Sequence, residues 1–264
     1  MSLFRFVTRH KSGHLDFEDL ALLGGPSAAR EFLAVSESSG PAVLRLQVGA
    51  DGRVRILGWR ELVVPVPSYK NSGNRGLEGL ALDAEGGVLY AGLEESKDRT
   101  GYLLAYPWPM ELDPPEHFDE GRMPVEPLWT KRIHDQRWGE PGPLSGLALS
   151  RRGGEATLWA VQASTQRLLR LGGRGEPKGC WTLDLRAPDG AAYEVPMPEG
   201  VTVDEDHGRL WLVTDPDEKK YRPAGWFRRA KGLYKQGVPM LYEIPIPAAP
   251  APATEVATSA RGGA

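Results

Sequence analysis

Three observations predict an all-β chain and, within that class, a single β-propeller of four blades, with a fifth left open in the longer connections. A short motif returns four times, as FEDLALL (17–23), LEGLALD (77–83), LSGLALS (144–150) and PEGVTVD (198–204). The residues in register, Glu18, Glu78, Ser145 and Glu199, are separated by 60, 67 and 54 positions, the span of a whole small sheet rather than of a helical repeat. Each copy is followed by a second run rich in β-branched and aromatic residues: FLAVSE (32–37), LYAGLE (89–94), LWAVQA (158–163) and LWLVTD (210–215).

The remaining strands fall between these pairs. YLLAY (102–106) with VEPLWTKRI (125–133) supplies outer strands for the second blade, and RLLRL (167–171) with GCWTLDL (179–185) does so for the third. LYEIPI (241–246) is the third strand of the last blade, and no fourth follows it. The N-terminal LFRFVTR (3–9) is free to fill that slot, which would close the ring by pairing the two ends of the chain. Residues 1–246 are thus expected to form the propeller, and the Ala/Pro-rich stretch 247–264 a disordered tail.

Bulk composition narrows the function classes. A net charge of -3 with mixed signs offers no basic field for nucleic acid, and no apolar run is long enough to span a bilayer. The polar start MSLFRFVTRHKSGH does not read as a signal peptide, so a cytoplasmic protein is expected, or a periplasmic one if the sequence has been trimmed. Cys180 is the sole cysteine and cannot form an internal disulfide; it reads as a strand-edge or core thiol. The sequence holds no GxSxG elbow, Walker loop, HExxH, CxxC pair or dinucleotide fingerprint, so no catalytic residue is assigned.

Propeller geometry brings the motif acids together. The innermost strand of each blade lines the channel, and loops after second strands share one mouth with the connections between blades. Glu18, Glu78, Ser145 and Glu199 are therefore expected around that mouth, joined by Glu37, Glu94 and Asp215 at the ends of second strands, with neutral Ala163 in the third blade. Converging carboxylates repel one another. A divalent cation with oxygen ligands, calcium by preference, would relieve that repulsion, with Glu18, Glu78, Glu199, Glu37, Glu94 and Asp215 as candidate ligands. The alternative is that the acids accept backbone hydrogen bonds and lock blades together.

Basic and polar residues enter the same mouth. Asn74 and Arg75 precede the second copy of the motif, His134 and Arg137 the third, and Lys219, Lys220 and Arg222 follow Asp215. With Ser145 they are candidate contacts for a small anionic ligand or substrate. The insertion 216–238, with Trp226, Phe227, Leu233 and Tyr234 among Arg228, Arg229, Lys231 and Lys235, reads either as a basic amphipathic helix packed on the rim or as a surface for a protein partner. The other insertion, 107–124, is Pro-rich and acidic and is expected to be irregular.

The segment NRGLEGLALDAEGGVLYAGLEES (74–96), and the order DFEDLAL, GLEGLALD, PLSGLALS, MPEGVTVD, resemble the SdiA-regulated propeller family and the related esterase-like phytase domain family. The resemblance spans about 200 residues at the level of motifs. It implies a bacterial propeller with calcium sites and, for the phytase-like group, hydrolysis of a phosphoester or other ester, with Glu18, Glu78 and Glu199 at the motif acids and Ser145 where the pattern itself carries Ser. Two functions from different classes follow: a metal-dependent hydrolase acting at the acidic mouth, or a noncatalytic propeller that binds a ligand or protein there, with a structural cation or none.

Overall fold

Each copy of the motif opens a strand, and each second run folds back on it as an antiparallel partner. The computed structural model describes residues 17–23, 30–36, 40–66, 69, 76–93, 100–115, 123–138, 142–151, 154–185, 198–214 and 241–247. The first sheet has β1 (Phe17–Leu22), β2 (Arg30–Ser36), β3 (Ala42–Val48) and β4 (Val54–Glu61) side by side in chain order. The second repeats this with β5 (Leu77–Asp83), β6 (Val88–Leu93), β7 (Tyr102–Pro107) and β8 (Trp129–Arg132). The third has β9 (Gly146–Ser150), β10 (Thr157–Gln162), β11 (Arg167–Gly172) and β12 (Pro177–Thr182), and the fourth β13 (Pro198–Asp204), β14 (Arg209–Thr214) and β15 (Leu241–Pro245). The sheets are the blades of a four-bladed propeller, and β1, β5, β9 and β13 together line a central channel of about 210 Å3. Helix among the described residues is confined to short turns such as Gln136–Trp138.

The alternation of strand side chains explains why these sequences look almost continuously apolar. On β6, Leu89, Ala91 and Leu93 face the first blade, while Tyr90 faces the third. On β10, Leu158 and Ala160 pack toward the second blade and Trp159 and Val161 toward the fourth. A blade between two neighbours is buried on both faces, so period-2 patterning collapses into an apolar run. Each fully buried Leu is worth about 1.5–3 kcal/mol, and these inter-blade clusters outweigh any single polar contact.

Two outer strands differ from the sequence expectation. The fourth strand of the second blade begins at Trp129, not at Val125. Pro127 has no N–H to give to a ladder, and Val125 upstream of it forms a parallel bridge to Leu62 of the first blade. In the third blade β12 starts earlier, at Pro177, and ends at Thr182, after which the Leu183 amide donates to Gln166 O at 2.8 Å. The insertion after β7 is irregular where it is described, and it is pinned: the amides and carbonyls of Trp59 and Asp113 pair at 2.9 Å in both directions, and Arg60 bonds the Asp113 carboxylate at 2.9 Å. It straps the second blade to the first. The expected closing strand 3–9, the insertion 216–238 and the tail from 248 onward lie outside the described residues.

Candidate functional site

The motif glutamates share one backbone device. In β1 the register with β2 jumps between Phe17 and Asp19, in β5 between Leu77 and Gly79, and in β13 between Pro198 and Gly200, so Glu18, Glu78 and Glu199 are each the extra residue of a β-bulge. Blade three follows the same plan, with the Ser145 amide donating to Val161 O at 3.0 Å beside the Gly146–Val161 pair. Three bulges, and in the third blade the Ser145 start of β9, therefore stand at one mouth of the channel. Glu78 is buried there, and Glu18 and Glu199 are half-buried. Ser145 is buried too, and its hydroxyl accepts from the Ala163 amide at 3.3 Å, tying β9 to the end of β10.

The residue after the bulge is glycine in three blades: Gly79, Gly146 and Gly200. A Cβ on Gly79 would stand 2.7 Å from Leu147 Cγ and 3.1 Å from the Gly146 carbonyl carbon, because neighbouring inner strands touch backbone to backbone here. In the first blade this position is Asp19. Its side chain reaches across the axis: Oδ2 accepts from the Leu80 amide at 2.8 Å and the Leu147 amide at 3.2 Å, and Oδ1 accepts from Leu20 at 2.7 Å. Burial pushes the carboxyl up to about 7, against the downward pull of those three amides.

Asp19 is the residue that the sequence reading passed over. Its signal lies in the register of the four motifs, where it is the one side chain in a glycine column, one place after the motif acids.

His134, expected at this mouth, is exposed on the connection that follows β8. Arg137 lies in the short turn Gln136–Trp138 of the same connection. Glu37, Glu94, Asp215, Asn74, Arg75, Lys219, Lys220 and Arg222 lie outside the described residues. The strands β2, β6 and β14 that lead to the first three of these end at Ser36, Leu93 and Thr214, level with the bulges they pair beside. Among the described residues no three His, Cys, Asp or Glu side chains come together as a group able to hold a metal ion. Glu18, Glu78 and Glu199 therefore do not form a cation cage among themselves.

The opposite mouth, at the hairpins that follow the inner strands, is charged and internally paired. Arg151 at the end of β9 grips Asp83 of β5 with two hydrogen bonds, Nε to Oδ1 at 2.7 Å and Nη2 to Oδ2 at 2.6 Å, and the Gly86 amide adds a third at 2.9 Å. Burial raises the Asp83 carboxyl, but these bonds outweigh it and leave it below the usual carboxylate range. Asp204 is lowered mainly by its hydrogen bond to exposed His207, Nδ1 to Oδ2 at 2.8 Å. Cys180 sits half-buried on β12, and burial pushes its thiol up, as suits a packing residue.

No protein-family model matches the chain. Among solved structures it is similar to a calcium-binding protein, regucalcin, from Agrobacterium tumefaciens, with 13% identity over 85% of this chain and 60% of that one at a TM-score of 0.40. It is also similar to the periplasmic gluconolactonase of Pseudomonas aeruginosa, with 14% identity over 83% and 71% at a TM-score of 0.34, and to a GH43_1 enzyme from Xanthomonas citri, with 14% identity over 81% and 72% at 0.42. The chain thus spans about three fifths of the length of the regucalcin it resembles. The likeness is one of fold. Among the described residues no helix is long and apolar enough to cross a membrane.

Proposed function

We propose that the protein acts at the bulge-lined mouth of its channel on a small anionic ligand, and that the reaction is hydrolysis of a phosphoester or other ester. The observation that carries this reading is the placing of Glu18, Glu78 and Glu199 at three equivalent bulges and of Ser145 at the matching strand start, at the mouth where the Asp19 carboxyl lies. A carboxyl that holds its proton near neutrality is suited to give it to a leaving oxygen or to take one from water. A divalent cation, calcium by preference, would have to draw ligands from Glu37, Glu94 and Asp215 in addition to the motif acids, since the described acids do not make a cage on their own. Its chemistry would be to polarise the ester oxygen.

The second reading, a propeller that binds its ligand without turning it over, is favoured by a specific observation. The Asp19 carboxylate already has three amide donors, and the Ser145 hydroxyl is engaged by Ala163, as befits groups that hold blades together. Chelated and calcium-loaded protein, assayed on aryl phosphates, aryl acetates and lactones beside the Glu78→Gln variant, separates the two. Hydrolysis predicts turnover that falls at least about tenfold in the variant while the melting temperature is little changed. Ligand-dependent stabilisation without turnover supports the binding reading, and neither effect with any compound overturns both.

A further inference from the structure

The innermost strand of a blade is paired on one side only, so every second N–H along it points toward the channel axis instead of a partner strand. Buried amides need acceptors. The inward N–H groups that directly follow the glycine column belong to Leu80 and Leu147, with Leu20 in the same register in the first blade and Val201 in the fourth. One carboxylate serves three of them: both Asp19 oxygens are used, and the donors come from three different blades. The side chain stands where the other repeats have no side chain at all. The glycine column is close-packed at all three positions: a Cβ on Gly79 would collide with Leu147, one on Gly146 with the Glu199 carbonyl and Gly200, and one on Gly200 with Val213 at 2.6 Å.

We infer that this ring of inner-strand amides is a binding site for a single planar carboxylate, which the chain fills from within by Asp19, and that vacating it creates a receptor for a small free monocarboxylate such as formate or acetate. The geometry selects the class of ligand. Donors approach both oxygens from different strands, which a two-oxygen planar anion satisfies and a spherical chloride does not. The Asp19→Gly substitution makes the first repeat read like the other three, and it leaves Glu18 and the bulge in place. The inference does not depend on turnover, so it stands or falls separately from hydrolysis.

The test compares wild type and Asp19→Gly in formate, acetate and chloride at matched ionic strength. The variant should melt below wild type, and formate or acetate should raise its melting temperature saturably by roughly 2–4 °C over chloride, with no such difference in wild type. In the same titration the amide resonances of Leu20, Leu80 and Leu147 should move together. A folded variant that responds alike to formate and chloride, or whose shifted amides lie elsewhere, overturns the inference. Should Asp19→Gly fail to fold, hydrogen exchange in wild type and Asp19→Asn decides the matter. Asparagine has one acceptor oxygen where Asp19 uses two, so its NH2 must face either the Leu20 amide or the Leu80 and Leu147 amides that share Oδ2. Exchange at Leu20, or at Leu80 and Leu147 together, should quicken by about tenfold or more, and unchanged exchange at all three overturns the inference.

Discussion

Asp19 sets how the mouth responds to acid. Its folded carboxyl is pushed up to about 7 from an ordinary value of 3.8, so between those values the folded state holds a proton that the unfolded chain releases. Stability from this group is therefore fully present below the ordinary value and is lost as the pH rises through neutrality. Asp83 and Asp204, both lowered, work in the opposite sense: their contribution is present above the usual carboxylate range and is lost only as the pH falls through and below it. Among the described carboxyls whose values are shifted, Asp19 is the one whose contribution changes between about pH 5 and 8. The melting temperature should fall on the order of 5 °C across that window, and Asp19→Asn should flatten the slope, as thermal melts at a series of pH values would show. A slope unchanged in the variant would mean that another group titrates there.

Among the polar contacts that join strands across blades, two sit at the channel, one at each mouth. At the bulge mouth they are amide bonds to Asp19; at the other they are the Arg151 fork on Asp83, which joins the end of β9 to the hairpin between β5 and β6. Asp83 is buried and Arg151 is not, so removal of the arginine leaves a buried carboxylate that keeps the Gly86 amide of its own hairpin but loses both bonds from the neighbouring blade. Arg151→Ala should lower the melting temperature at neutral pH by more than it does at pH 3, where Asp83 is taking up a proton. Arg151→Lys should recover only part of the loss, because an ammonium cannot reproduce the planar two-point grip. Equal effects of the alanine substitution at both pH values would show that the pair contributes through packing rather than charge.

Among the described residues the apolar packing between blades is unequal around the ring. Apolar clusters unite the first blade with the second, the second with the third and the third with the fourth, while the cluster on the other face of the first blade, around Leu44 and Trp59, has no member from the fourth among the described residues. Leu20 and Leu22 of β1, Val213 of β14 and Leu241 of β15 are exposed large apolar residues that flank this seam. Native-state hydrogen exchange should accordingly find β13, β14 and β15 opening at least about tenfold more readily than β6, β7, β10 and β11, which are buried on both faces. Uniform protection over all four blades would mean that the seam is held as tightly as the other three junctions.

Much of this architecture was legible in the chain. The spacing of Glu18, Glu78, Ser145 and Glu199 announces four similar units, and the runs around Leu89, Trp159 and Leu210 announce strands, because period-2 burial is local and repeats in register. The acids were legible as a set for the same reason, though not as bulge residues, since a bulge exists only relative to the strand opposite. The start of β8 was misplaced because Val125 pairs with Leu62 of another blade, a partner far away in sequence. What the sequence by itself determined is the propeller, with four blades preferred and a fifth left open, and the motif residues at the starts of its inner strands. What only the tertiary structure decided is which carboxyl occupies the axis and what holds it. Asp19 acquires its partners from Leu80 and Leu147, 61 and 128 positions along the chain, and those amides lack other acceptors only because inner strands from separate blades converge on one channel.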